Sequence, residues 1–247
     1  MIGAGNVATH LTMALHKAGH SIKQVYSRTE KSAKELAKKV DSKATSSVDR
    51  INETADLYIV SIKDKVIPQA AKSLNIENKN IVHTAGSVPL SVFQEAKNHG
   101  VFYPLQTFSK EREVNFKEIP ICIEANNEEF GRQLTGLANQ ISESVWQIDS
   151  VQRKLLHLSA VFACNFVNHM YVIAKQLIGK KDIDYKILYP LIKETANKAT
   201  MMDPKLAQTG PAARNDTESM EKHIELLSSC PEIKEIYKII SKSISLI

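Results

Sequence analysis

The chain has 247 residues, enough for one large domain or two modest ones with an ordinary core. Its 43% hydrophobic and 24% charged content is that of a soluble globular protein. The net charge of +5 arises from interspersed lysines and acids without a basic block, which argues against nucleic acid and leaves a mild positive field suited to an anionic cofactor or substrate.

Gly3-Ala4-Gly5-Asn6-Val7-Ala8 has the form G-x-G-x-x-A and opens an amphipathic stretch that runs to Ala18 and stops at Gly19. In a βαβ unit Gly3 permits the tight turn, Gly5 lets the backbone approach a pyrophosphate, and Ala8 lets the helix pack close to the sheet. Asn6 and Val7 stand at the helix start, where unpaired N–H groups meet the phosphates. A strand-like run, Ser21 to Ser27, follows at the expected distance and strengthens a motif that is weak alone. Only Met1 and Ile2 precede Gly3, so the first strand is short or further residues stand upstream in the natural protein.

The end of the second strand selects the dinucleotide. NAD sites place Asp or Glu there for the ribose 2′-hydroxyl. Ser27, Arg28 and Thr29 stand there instead, a guanidinium between two hydroxyls, which suits the 2′-phosphate of NADP(H). The alternative for Arg28 is an ordinary solvated arginine.

Strands and helices then alternate. The pattern predicts a helix from Lys31 to Val40, a strand from Asp56 to Ile62, a helix from Val66 to Leu74 and a strand from Asn80 to Thr84. A helix from Leu90 to Asn98 and a short strand from Val101 to Tyr103 come next. A strand from Ile119 to Glu124, a helix from Glu128 to Ile141 and a last strand from Ser144 to Ile148 complete this part. Such alternation implies a mostly parallel sheet covered on both faces.

From Asp149 onward only helices are expected: Ser150 to Ile178, Tyr185 to Thr200, Thr217 to Leu227 and Pro231 to Ser245. The boundary therefore divides residues 1–148, an α/β Rossmann domain, from residues 149–247, an all-α domain for substrate binding and dimerisation. The apolar stretch from Leu155 to Ala174 carries His157, Asn165, Asn168 and His169, and reads as a buried helix rather than a membrane span. Cys122, Cys164 and Cys230 are odd in number, far apart and without metal-ligand spacing. With no visible signal peptide, they point to the reducing cytoplasm.

Several strings carry a family resemblance: His83-Thr84-Ala85-Gly86-Ser87, Tyr103-Pro104-Leu105-Gln106-Thr107-Phe108-Ser109, Ala163-Cys164-Asn165-Phe166, and Thr209 to Asp216. Together with the domain order, they resemble Rossmann-like NADP oxidoreductases whose C-terminal domain is of unknown function. The wider superfamily includes pyrroline-5-carboxylate reductase, 6-phosphogluconate dehydrogenase-like proteins and the β-hydroxyacid dehydrogenases. The resemblance covers nearly the whole chain and implies fold and cofactor, but no substrate.

The candidate site residues follow from loops beyond the strand ends. Lys63 is a candidate for cofactor phosphate or ribose. Thr84 and Gly86 are placed beside the nicotinamide half, where Gly86 would admit close backbone approach. His83 is either a proton donor or a core histidine. Tyr103 stands where relatives carry His before Pro, and a phenol can still donate a proton. In the β-hydroxyacid dehydrogenases the matching helix carries a catalytic lysine four residues before an asparagine. Aligning that asparagine with Asn165 puts Val161 at the lysine position, so that chemistry does not carry over. His157 is the nearest ionisable substitute and shares a stripe with Val161, Asn165 and Asn168. It is a proton donor beside Asn165, or both are buried polar residues with structural partners. Arg214 follows the Gly210-Pro211 turn and could clamp a substrate carboxylate, or could merely hold the loop against Asp216.

The expected function is an NADP(H)-dependent oxidoreductase that reduces a C=O or C=N bond of a small anionic metabolite. The alternative is a non-catalytic dinucleotide-binding sensor or scaffold, since fold alone does not fix function. A methyltransferase is disfavoured by Arg28, because such sites want an acid there. A homodimer through the helical domain is expected, with no nucleic acid, membrane or metal partner.

Overall fold

The computed structural model describes residues 1–246. The chain divides into two compact units, Met1–Cys164 and a second that begins at Asn165. Regular structure changes from strand to helix at Asp149, as expected. The first turns of the following helix nevertheless belong to the α/β unit, because Arg153 is buried within it.

The first unit is a covered sheet. Helix α1 (Asn6–Lys17) is followed by β1 (Gln24–Tyr26), α2 (Glu30–Lys38) and β2 (Lys43–Thr45). Next come β3 (Tyr58–Val60), α3 (Ile67–Ser73), β4 (Asn80–His83), β5 (Asn98–Pro104), β6 (Ile121–Ala125), α4 (Glu128–Asn139) and β7 (Val145–Gln147). Strands β3 to β7 lie side by side in chain order, and β1 pairs with β2. Ile2 joins the two groups by parallel bridges to Tyr26 and Val60, so the first strand is a single bridged residue. All pairings are parallel except β5 with β6.

Side chains alternate across this sheet with the period of two that strands impose. Ile59, Val82 and Phe102 face one cluster, together with Leu11 and Leu15 of α1 and Phe130 and Leu134 of α4. Tyr58, Val60 and Ile81 face the other, with Ile67 and Ala71 of α3 and Phe93. Ala8 is fully buried against Val25 and Leu36, which is the close helix–sheet approach that the glycine motif requires.

Two expectations are corrected and one strand is added. The helix from Leu90 to Asn98 is only a 3-10 turn, Leu90–Phe93, and β5 takes the residues from Asn98. Partners on both sides, β4 and β6, outweigh local helix propensity. Strand β2 was not foreseen, because Lys43–Thr45 is short and lacks an apolar run. The long helix is neither uniform nor buried. It consists of α5 (Ser150–Ala160), a π turn (Val161–Phe166) and α6 (Val167–Gly179). The π turn sets later residues back by one position, so the α-helical stripe linking His157 to Asn165 and Asn168 is broken. Val151, Leu155 and Leu158 are exposed. Its most apolar window has a mean hydropathy of 1.3, enough by length and composition for a span, yet its start is anchored to the sheet through Arg153.

Among the described residues the second unit has no strand. After α6 come α7 (Tyr189–Met201), α8 (Pro204–Ala207), α9 (Thr217–Leu226) and α10 (Pro231–Ser245). The His223 ring and Tyr237 hydroxyl join α9 to α10 at 2.9 Å, and the Ser245 hydroxyl donates to Ala212 O at 3.1 Å.

Candidate dinucleotide cleft and active site

Gly3 has φ +120°, and a Cβ there would lie 2.0 Å from the backbone oxygen of Ser61. Only glycine satisfies both the conformation and the space. The resulting turn delivers the chain to Gly5, the N-cap of α1, which has no capping side chain. A Cβ at Gly5 would meet nothing within 4 Å. The first N–H groups of α1 are thus presented to open space beside an unshielded positive helix end.

A cleft of about 940 Å³ starts at this helix end. It runs from Gly3–Val7 along Ser27, Arg28 and Thr29, with Ser61, Lys63, Asp64 and Thr84 on another wall. Arg28 and Thr29 are exposed at one end, where a 2′-phosphate would sit. The residues present therefore fit an anionic dinucleotide: a glycine cradle, an open helix N-terminus, and a cation with hydroxyls at the strand end. Asn6 lines the cleft, but its side-chain amide donates to Phe108 O at 2.8 Å and holds the loop after β5. His10 secures the same loop, at 2.9 Å from Ser109 O.

Two residues foreseen far apart in sequence meet in a second cluster. Tyr103, near the carboxyl end of β5, places its hydroxyl 3.0 Å from Nδ1 of His157 on α5. Their rings lie edge to face, with centroids 6.1 Å apart. Burial pushes the Tyr103 phenol up to about 12, and the neighbouring Cys122 and Asp64 act in the same direction. Tyr103 is therefore protonated throughout the neutral range, and its bond to an imidazole offers a path for one proton. The Ser87 hydroxyl donates to Asp64 at 2.5 Å, and the Thr84 hydroxyl donates to Ser61 at 3.0 Å. These bonds tie the loops after β3 and β4 together at the carboxyl edge of the sheet, where ligands of such folds bind.

Residues 1–85 match the family model described as "NADP oxidoreductase coenzyme F420-dependent", and residues 119–244 match a domain of unknown function. Among solved structures, a protein of Bacteroides fragilis provisionally named as an NADP oxidoreductase is 46% identical. The match covers 100% of this chain and 96% of that one, with a TM-score of 0.92. The chain belongs to this oxidoreductase family. A Thermotoga maritima protein is 21% identical over 100% of this chain and 98% of its own, with a TM-score of 0.79. A reductive aminase from Aspergillus terreus, in complex with NADPH and ethyl-5-oxohexanoate, is 12% identical over 98% and 92%, with a TM-score of 0.73. These last two share the fold. No curated protein sequence matches the chain.

Within this family member, the remaining expected residues fall into distinct places. Gly86 does not line the cleft: a Cβ there would meet the His157 ring at 2.6 Å. The space that Gly86 leaves open admits the His157 imidazole. His83 is fully buried, with Nδ1 accepting from the Ala85 amide at 3.2 Å. Burial, and then the charge of Arg153, lower its pKa to about 3, so it is a neutral core residue. Asn165 lies in the π turn and is exposed. Arg214 ends the 3-10 turn Ala212–Arg214 of the second unit, also exposed, while Asp216 caps α9 through Ser219.

Several cleft residues escaped the sequence reading, Ser32, Ser61 and Asp64 among them. Ser32 lines the cleft in the first turn of α2 and accepts from the Thr29 hydroxyl at 2.8 Å. Its place one turn after Arg28 was the available signal. Ser61 directly follows β3, where a strand-end residue meets the ligand. Asp64 stands beside the nominated Lys63 but is recognised only through its bond to Ser87.

Proposed function

We propose that this protein is an NADP(H)-dependent reductase of a C=O or C=N bond in a small anionic metabolite, in which the Tyr103–His157 pair manages the proton. The 3.0 Å contact between Tyr103 Oη and His157 Nδ1 carries this reading. NADPH, when bound, supplies the hydride. The glycine turn and the start of α1 hold its pyrophosphate, and Arg28 with Ser27, Thr29 and Ser32 holds the 2′-phosphate. Lys63, Thr84 and Ser61 line the cleft farther along. Tyr103 donates its proton to the reduced atom, and His157 replaces that proton from solvent, since the imidazole is only half-buried. Arg214 and Asn165, both in the second unit, are proposed substrate-binding residues.

Support for the cofactor comes from the family model and from the NADPH of the Aspergillus terreus neighbour. Support for the proton pair is its geometry alone. The test is NADPH oxidation against a panel of keto and imino acids. Turnover that disappears in both Tyr103→Phe and His157→Ala sustains the reading. Tight NADPH binding without turnover on any member would favour a sensor or scaffold.

We also propose a homodimer that covers the exposed apolar face of Val151, Leu155 and Leu158. A monomer in sedimentation at micromolar concentration would refute it.

A further inference from the structure

Arg153 is wholly inaccessible to solvent, an unusual place for a guanidinium. It forms an ion pair with Glu124 on β6 and donates to Val88 O in the loop after β4. Ser150, one turn earlier on α5, reinforces both attachments. Its amide donates to Glu124 at 2.9 Å, and its hydroxyl both donates to Glu124 at 2.9 Å and accepts from the Leu90 amide at 3.2 Å. Two segments are gripped in this way. One is the loop that carries Gly86, and the other is β6, whose Cys122 lies opposite Tyr103.

The first of them meets His157 directly, at Gly86, and the second backs its partner, since Cys122 pairs with Tyr103. Residues four apart lie on the same face of a helix, so His157 stands one turn above Arg153 on the buried side of α5. An apolar residue at position 153 would satisfy burial without the desolvation cost of a charge. It would not fix the angle of the helix, whereas a planar guanidinium held by a carboxylate and a carbonyl at once does.

We propose that Arg153, with Glu124 and Ser150, is a positioning group that sets the contact between His157 and Tyr103. The inference rests on reading that pair as the proton-handling element. Arg153 acts through His157 and touches no reacting atom.

The test follows the ring nitrogens of His157 by NMR in the full-length protein. Tyr103→Phe supplies the signature of a broken contact. In Arg153→Lys and in Ser150→Ala, the His157 resonances should move toward that signature, while cooperative unfolding and NADPH affinity are retained. Unchanged His157 resonances in the folded variants would overturn the proposal. If Arg153→Lys fails to fold, Ser150→Ala decides alone, because it removes only hydroxyl bonds. The measurement needs no substrate. An enzyme without turnover but with shifted resonances would refute the proton-donor reading and leave the positioning role standing.

Discussion

Gly86 and His157 compete for one volume: a Cβ on the glycine would lie 2.6 Å from Nδ1 of the imidazole. The hydrogen bond between His157 and Tyr103 exists because residue 86 has no side chain. Gly86→Ala should therefore displace the imidazole and lower kcat by about 100-fold, the usual cost of a misplacement near 1 Å. NADPH affinity should hold, because Gly86 is outside the cleft. Equal damage to NADPH binding in a titration would contradict this geometry.

Gly3 faces a harder constraint. Its positive φ and the Ser61 oxygen 2.0 Å from a would-be Cβ leave no room for alanine. Gly3→Ala should destabilise the first unit by at least ~1–3 kcal/mol and abolish dinucleotide binding. A thermal melt and a calorimetric titration read both effects. A variant with parental Tm would show that the turn relaxes freely.

Arg28 offers the cofactor test. Removing a charge-assisted contact to the 2′-phosphate costs ~1.5–3 kcal/mol. Arg28→Asp adds repulsion, so NADPH binding should weaken by at least roughly 10–100-fold. NADH binding should change little. Parallel loss of both cofactors would mean that Arg28 does not recognise the phosphate.

The buried His83 predicts how stability depends on pH. Its folded pKa of about 3 lies below the unfolded value of 6.5. Between those values the unfolded chain binds a proton that the native state refuses, so stability is fully present above about 6.5 and is lost as pH falls toward 3. The slope is at most about 1.4 kcal/mol per pH unit. Denaturant melts of His83→Phe should show a shallower acid limb than the parent. An identical limb in both would assign the acid sensitivity to other groups.

Much of this architecture was legible beforehand, for identifiable physical reasons. The glycine turn and Arg28 are local, since a backbone conformation and a strand end fix their roles within a few residues of sequence. The helices Glu128–Asn139 and Pro231–Ser245 carry strong apolar periodicity and lie close to their expected bounds. Strand β5 was obscured because its extension depends on pairing with two distant neighbours. The π turn has no sequence signature at this level, so the stripe through Val161 and Asn165 was drawn on a regular helix that is not there. Tyr103 and His157 were each nominated singly. Their contact joins residues 54 apart and needs the folded chain to be seen.

The reversal of direction at β6 governs how Tyr103 and His157 come together. Strands β3, β4 and β5 end at the edge where the cleft lies, but β6 and β7 run the opposite way. The chain thus leaves the sheet on the far side, beside Glu124, and α5 must climb back across it. Seven residues from Ser150 to His157 rise about 10 Å, roughly the span of three strand residues. The antiparallel β5–β6 pairing thereby sends α5, and with it His157, back toward the edge where the cleft lies. Lengthening α5 by one residue before position 157 would rotate the imidazole by about 100° away from Tyr103 without disturbing a single strand.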